Sequence, residues 1–346
     1  MTRPSRDRQH TGVPARAALR EALELFSPES GSVWDLVCEA GRVRTRVFSD
    51  RVHLCAILNA KSGGCTEDCA FCAQSRRHRT RVDRYPLVPQ DRCLDAALKA
   101  ASRGVRCFSL VTSGRALKGK KERADLLRTV ELLRSRTRLE IAASLGTLDL
   151  PFLKELKGAG LCTYHHNLET AASFYPRICT THAFGERMRT IGAAREAGLT
   201  VCSGGIFGLG ESCLQRAELA LLLRELEVSR IAVNFLHAIP GTPLENQPRL
   251  EPLEALRILA ALRILLPTRD IQVCGGREHV LRSLEPLLFL AGANGMMVGD
   301  YLTTAGSAAE KDRAMLEDIG LRWTGTGEPR GGAGRGGAAL RGGGGA

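Results

Sequence analysis

A chain of 346 residues, 44% hydrophobic and 25% charged, has the makeup of a globular protein and not of a fibrous or low-complexity one. No apolar run is long enough to cross a bilayer, and the basic N-terminus lacks the apolar stretch of a secretory leader, so an ordinary cytoplasmic protein is expected. The net charge of +12 gathers at the ends, with +4 in residues 1–20 and +3 in 330–346; the remaining charge of about +5 suits a solvated face or a funnel for anionic substrates and does not call for nucleic acid.

Taken in order, residues 1–13 are polar and expected to be disordered. The spacing of Ala18, Leu19, Ala22, Leu23 and Phe26 predicts a helix over 15–26, and Val33, Leu36, Val37 and Ala40 predict a second from Ser32. Together they form an N-terminal helical extension, 1–48, read as a lid or plug. From Val52 short apolar runs alternate with segments of helical period. Strands are predicted at 52–58, 107–111, 139–143, 161–165, 200–206, 230–235, 271–274 and 295–298. Helices are predicted at 91–102, 124–135, 149–157, 183–197, 214–226, 251–266, 280–290 and 309–319. Eight strands each followed by a helix imply parallel pairing and an α/β fold, a (β/α)8 TIM-type barrel over 49–322, with a doubly wound open sheet as runner-up. The tail, 323–346, cannot bury a core: 11 of its last 22 residues are glycine, among scattered arginines, and it is expected to be flexible. Without interleaved aromatics it does not read as an RNA-binding tract.

Twelve cysteines, not spaced as a secreted disulfide framework, imply thiols kept reduced for metal. Three of them, Cys65, Cys69 and Cys72, stand in C-x3-C-x2-C spacing within AKSGGCTEDCAFCAQS at 60–75. Thiolates that close in sequence can converge on one soft-metal centre, whether iron–sulfur or zinc, but a closed site takes four protein ligands. The next cysteine, Cys93, is too far for a local fourth ligand, which leaves an open corner for a small molecule and favours a reactive cluster. A structural zinc completed by a distant residue is the bland alternative. The barrel reading also places the motif, because active sites of this fold lie in loops after the strands. The cysteine loop follows the first strand. Thr112-Ser113-Gly114, His166 to Glu169, Gly208 to Glu211, Asn234, His237, Arg277 and Tyr301 follow later ones.

The triplet with Phe71 before its last cysteine resembles the radical S-adenosylmethionine (SAM) enzymes, and SGGCTEDCAFCAQS is similar to the corresponding string of biotin synthases. The likeness runs from about Val52 to Leu321. It implies a [4Fe-4S] cluster on Cys65, Cys69 and Cys72, its open iron chelated by SAM. YHHNLET at 164–170 resembles the segment that reaches the SAM ribose, here through Asn167 and Glu169; a carboxylate can accept from both ribose hydroxyls. ICTTHAFGERMRTI implies Arg187 near the SAM or substrate carboxylate, although an arginine on a solvated helix face reads the same way. CSGGIFGLGE at 202–211 implies SAM contacts at Ile206 and Gly208, and VNFLHAIPGTPLEN implies Asn234 on the ureido ring of dethiobiotin. The resemblance further implies a flavodoxin or ferredoxin as electron donor, and a homodimer.

A second, sulfur-donating [2Fe-2S] cluster is held in well-known biotin synthases by three cysteines and an arginine. Cys202 and Arg277 match that set, but Ser109 and Ala142 stand where the other two cysteines are expected. SLVTSG and ICTTH resemble the anaerobe-type branch, which implies a variant auxiliary cluster with replacement ligands among Cys107, Cys162, Cys179 and Cys274. Cys38, Cys55, Cys93 and Cys213 read as structural. The implied reaction is sulfur insertion into dethiobiotin to form biotin, started by reductive cleavage of SAM to a 5′-deoxyadenosyl radical. Two alternatives stay open at this point. One is a biotin-synthase-like radical SAM enzyme without sulfur transfer, a methylase or maturase relative. The other is a non-catalytic metal- or RNA-binding protein.

Overall fold

Runs such as Cys107 to Thr112 alternate bulky and small side chains, so a strand built from them presents an apolar face to a helix layer and a thin face to the opposite side. The periodic segments between such runs become helices that carry the chain back for another parallel strand. A computed structural model describes residues 16–325 except 118 and 305, so the expectations for residues 1–13 and for the tail past 325 lie outside the described residues. After α1 (Arg16–Phe26) and α2 (Val33–Phe48) come β1 (Arg51–Lys61), α3 (Gln90–Ser102), β2 (Cys107–Thr112), α4 (Lys120–Arg136), β3 (Glu140–Ser144), α5 (Leu150–Ala159), β4 (Thr163–His165), α6 (Phe184–Glu196), β5 (Thr200–Phe207), α7 (Cys213–Glu225), β6 (Arg230–Phe235), α8 (Pro252–Leu265), β7 (Asp270–Val273), α9 (Arg277–Leu281), α10 (Leu287–Leu290), β8 (Gly295–Met297), α11 (Ala309–Asp318) and β9 (Arg322–Thr324). The strands run in order from β2 to β8, β8 pairs with β1, and β1 pairs back to β2. Eight parallel strands therefore close the expected (β/α)8 barrel, and the open-sheet alternative is excluded.

Alternation sorts the side chains. Leu54, Phe108, Leu110, Ile141 and Val233 are buried in the main core between the strands and the helix ring. Cys55, Cys107 and Ala142 form a separate cluster within the ring of strands, and Cys202, Ala232 and Cys274 another, so the lumen is lined by small and sulfur-bearing groups. Helix ends follow local chemistry: Asp149 accepts from the Phe152 amide at 2.9 Å to cap α5, and Ser212 and Gln215 satisfy each other's backbone amides at the start of α7.

Three features differ from expectation. The N-terminal helices are no lid: α1 packs on α7 and α8, and α2 on α8, so both lie against the outer ring. Arg44 of α2 donates to the carbonyls of Ala293, Ser49 and Arg51, which fixes α2 near the start of β1. The helix expected over 280–290 is broken into α9 and α10, with Arg282 at φ 53° and Pro286 just before the second piece. Finally, the boundary drawn at 322 falls inside a strand. Arg322, Trp323 and Thr324 pair with Arg51, Val52 and His53, ahead of Cys55, where β2 joins β1.

Candidate active site

The loop after β1 is held from two sides before any cofactor is considered. Its own turns close through Cys65 N to Gln74 O at 3.0 Å, Arg76 N to Cys65 O at 2.8 Å and Cys72 N to Cys69 O at 2.9 Å. Ser113, after β2, donates its amide to Lys61 O at 2.9 Å and its hydroxyl to Gly63 O at 2.8 Å. The ICTTH segment braces the other side: Ala70 N donates to Ile178 O at 2.9 Å, Thr180 N to Asp68 Oδ1 at 3.0 Å, and Glu67 meets His182 at 2.7 Å. Such backbone anchoring fixes three side chains on a loop to the precision a shared centre demands.

Cys65, Cys69 and Cys72 all line one cavity of about 430 Å³ at the C-terminal mouth of the barrel. Burial pushes the Cys72 thiol up to about 11, with the charge of Cys65 adding to it, and burial likewise raises Cys65. Thiols so placed ionise readily only against a bound metal centre. Three soft donors facing one open space fit a cluster with a free corner. Cys179 lies 3.7 Å from Cys69 and forms with it and His182 a compact donor group, yet Cys179 stands behind Cys69 and outside the cavity lining.

Asn167, Glu169 and Arg187 line the same cavity. Arg187 of α6 donates to Tyr175 Oη and to the Asn167 carbonyl, each at 2.8 Å, and lies 3.4 Å from Glu169. The solvated-face alternative for Arg187 is thereby excluded. Burial raises the Glu169 carboxyl, and the Arg187 charge works against that. Glu169 sits at φ 71°, and its loop lies directly on β5: a Cβ on Gly205 would come 2.6 Å from the Glu169 carbonyl oxygen, and one on Gly204 would come 2.0 Å from that of Ala232. Gly205 thus lets the acidic residue reach the site, while Gly204 lets β6 lie close to β5. Ile206 lines the cavity, whereas Gly208 lies outside it and donates its amide to Glu211 at 3.0 Å. Asn234 lines the cavity, with Nδ2 3.3 Å from Gly205 O and Oδ1 accepting from the Gly275 amide at 3.1 Å.

Two expected auxiliary-cluster positions are not at the cavity. Gly276, at φ 81°, turns the chain so tightly that a Cβ there would strike the Phe235 carbonyl at 2.0 Å. Arg277 therefore opens α9, fully buried, paired with Asp312 at 2.8 Å and with Glu285 and Glu278. Its Nη2 donates to Asp312, while its Nε has no hydrogen-bond partner among the described residues. Ser109 is buried in the wall, 3.5 Å from His165 Nδ1. Sequence reasoning passed over Gln272, which lines the cavity and accepts from Cys55 at 3.3 Å. Strict alternation along β7 would have found it, since it puts 272 and 274 on one face. His166 also lines the cavity, kept neutral by burial and the nearby Arg187 charge, and its Nε2 has no partner among the described residues.

The barrel superposes on methylornithine synthase with a TM-score of 0.76 at 20% identity, covering 88% of this chain and 93% of that one. The FeFe-hydrogenase maturase HydG from Carboxydothermus hydrogenoformans gives 0.75 at 20% identity, covering 88% and 75%. At this identity the likeness is one of fold. Residues 60–223 match the radical SAM superfamily, and 232–322 match the Biotin and Thiamin Synthesis associated domain. Fold and cysteine site together define a radical SAM barrel enzyme. The biotin synthases of Geotalea uraniireducens and Geobacter sulfurreducens are 48% and 49% identical over 301 residues, 87% of this chain and 92% of each of theirs. The chain belongs to the biotin synthase family. The methylase, maturase and non-catalytic readings are set aside by that identity.

Proposed function

We propose that this chain inserts sulfur into dethiobiotin to form biotin, with a [4Fe-4S] cluster on Cys65, Cys69 and Cys72 and SAM bound between that loop and β4–β5. The supporting observation is that the three thiols face one cavity together with Asn167, Glu169 and Arg187. When bound, the cluster supplies the electron for reductive cleavage of SAM. The chain's own groups orient and enclose. Glu169 accepts from the ribose hydroxyls, and the Arg187 charge 3.4 Å away opposes the rise that burial imposes on that carboxyl. The Ile206 side chain gives adenine an apolar edge. Asn234, its amide oriented by Gly205 and Gly275, offers its remaining N–H to the ureido carbonyl of dethiobiotin. Phe71, Leu236 and Met297 give the mixed lining an apolar part, which favours a drier pocket for the reacting groups.

An auxiliary iron–sulfur cluster as sulfur source, a flavodoxin or ferredoxin as reductant, a homodimeric assembly and a cytoplasmic location belong to the same reading. Among the described residues no helix is long and apolar enough to cross a membrane. Anaerobic incubation with SAM, a reductant and dethiobiotin tests the reading. Biotin and 5′-deoxyadenosine together are expected. Deoxyadenosine without biotin overturns sulfur insertion, and neither product overturns SAM cleavage as well.

A further inference from the structure

The thiols divide by place. Three of the twelve stand on the loop; Cys38, Cys93, Cys162, Cys179 and Cys213 lie on helices, at a strand's start or behind the loop; four converge inside the barrel beneath the cavity. Cys55 and Cys107 are direct register partners on β1 and β2, in contact with Ala142. Cys202 of β5 and Cys274 just past β7 pack together with Ala232, and both line the cavity floor. Met297, packed on that second pair, is the register partner of Cys55, and Gln272 reaches Cys55 from β7, so the two pairs face each other across one lumen. All four are 5% exposed or less.

The surroundings suit a bound anion-ligated metal group. Arg230, fully buried below the cysteines, directs Nη1 at Cys107 Sγ at 3.7 Å, while its other nitrogens meet Glu140 at 2.9 Å and Asp270 at 3.6 Å. A buried cation already held by two carboxylates and also aimed at sulfur compensates thiolate charge. The walls between the pairs are small: Ala142, Ser109 and Ala232. By contrast the expected set of Ser109, Ala142, Cys202 and Arg277 offers one thiolate, one weak hydroxyl, one methyl and a guanidinium paired with Asp312 and Glu285. That set does not fit a cluster.

We propose that Cys55, Cys107, Cys202 and Cys274 hold the auxiliary iron–sulfur cluster, so that this chain replaces an arginine-containing ligand set by four thiolates, three on β1, β2 and β5 and one just past β7. Four cysteines are the common ligand set of both [2Fe-2S] and [4Fe-4S] centres. The proposal rests on the sulfur-insertion reading for the cluster's use but not for its ligands.

The test uses the full chain, reconstituted anaerobically with iron and sulfide. Replacing the loop ligands together (Cys65→Ala, Cys69→Ala, Cys72→Ala) is expected to leave one cluster per chain, by iron and labile sulfide analysis and Mössbauer spectroscopy. Adding Cys55→Ser, Cys107→Ser, Cys202→Ser or Cys274→Ser removes it or changes its spectrum, whereas adding Cys162→Ser or Arg277→Lys does neither. A residual cluster untouched by all four changes, or none in the loop variant, overturns the proposal. Because a lumen variant can misfold, anomalous diffraction at the iron edge of the unaltered protein decides independently. A second iron peak among the four sulfurs is expected, and a peak elsewhere or only at the loop rejects it. Two clusters so placed with no biotin formed would keep the ligand set and reject the function; biotin formed without iron in the lumen would do the reverse.

Discussion

Glu169 carries several constraints at once: a left-handed backbone, a buried carboxylate, and a loop seated on the bare backbone of β5. Glu169→Gln keeps the shape and removes the carboxylate that the proposed function sets against the SAM ribose. A charge-assisted hydrogen bond of about 1.5–3 kcal/mol corresponds to a loss of SAM affinity on the order of 10- to 100-fold. Equilibrium binding of SAM to the reconstituted protein measures it, with iron content unchanged. Gly205→Ala acts from beneath, since its methyl would meet the Glu169 carbonyl oxygen at 2.6 Å and Leu219 at 2.8 Å. Overpacking of this kind destabilises by about 1–3 kcal/mol. Denaturant unfolding should show that loss, and SAM affinity should fall with it even though no contacting side chain has been altered.

Elements hold together through their ends as much as their faces. Asp149 caps α5, and the Phe152 amide first, then Arg123 at 2.9 Å, hold its carboxyl below the usual range. A carboxylate lowered on folding contributes stability that is complete above its unfolded value, about 3.9, and is lost as pH falls through the folded one. Asp149→Ala should therefore cost about 1 kcal/mol near neutral pH. The difference in melting temperature from the parent should narrow below about pH 4. A gap of equal size at both pH values would contradict the cap. The break between α9 and α10 belongs to this scale too. Helical periodicity over 280–290 is real, but Pro286 and the left-handed Arg282 divide it.

Across the whole molecule, a buried charge set ties the last helices of the barrel together. Arg277 ties α9 to Asp312 of α11 and to Glu285, all of them buried. Removing one partner of such a set strands the others, at about 3–5 kcal/mol. Arg277→Met should lower stability by that order in urea unfolding while leaving the iron count per chain as it was. Loss of iron at unchanged stability would instead make Arg277 a cluster ligand. The outer placement of α1 and α2 against α7 and α8 leaves the cysteine-bearing mouth open, so access to the site is governed by the loops after the strands.

The eight-fold alternation of strand and helix and the three-cysteine loop were legible from residues alone, because period and short-range spacing are local properties of a chain. That Glu169 belongs to the site was implied by resemblance, and the structure places it in the cavity lining, with Gly205 giving the local reason it can sit there. The lumen was not legible. Cys55 read as one more mid-strand residue, since its partners lie on strands up to 219 residues away and only barrel register brings them opposite one another. Arg277 read as a ligand because its position in the string matched. Which partners a side chain after a strand finds depends on the turn that precedes it, and after the tight turn at Gly276, pressed against the Phe235 carbonyl, Arg277 pairs with Asp312 of α11 and with Glu285.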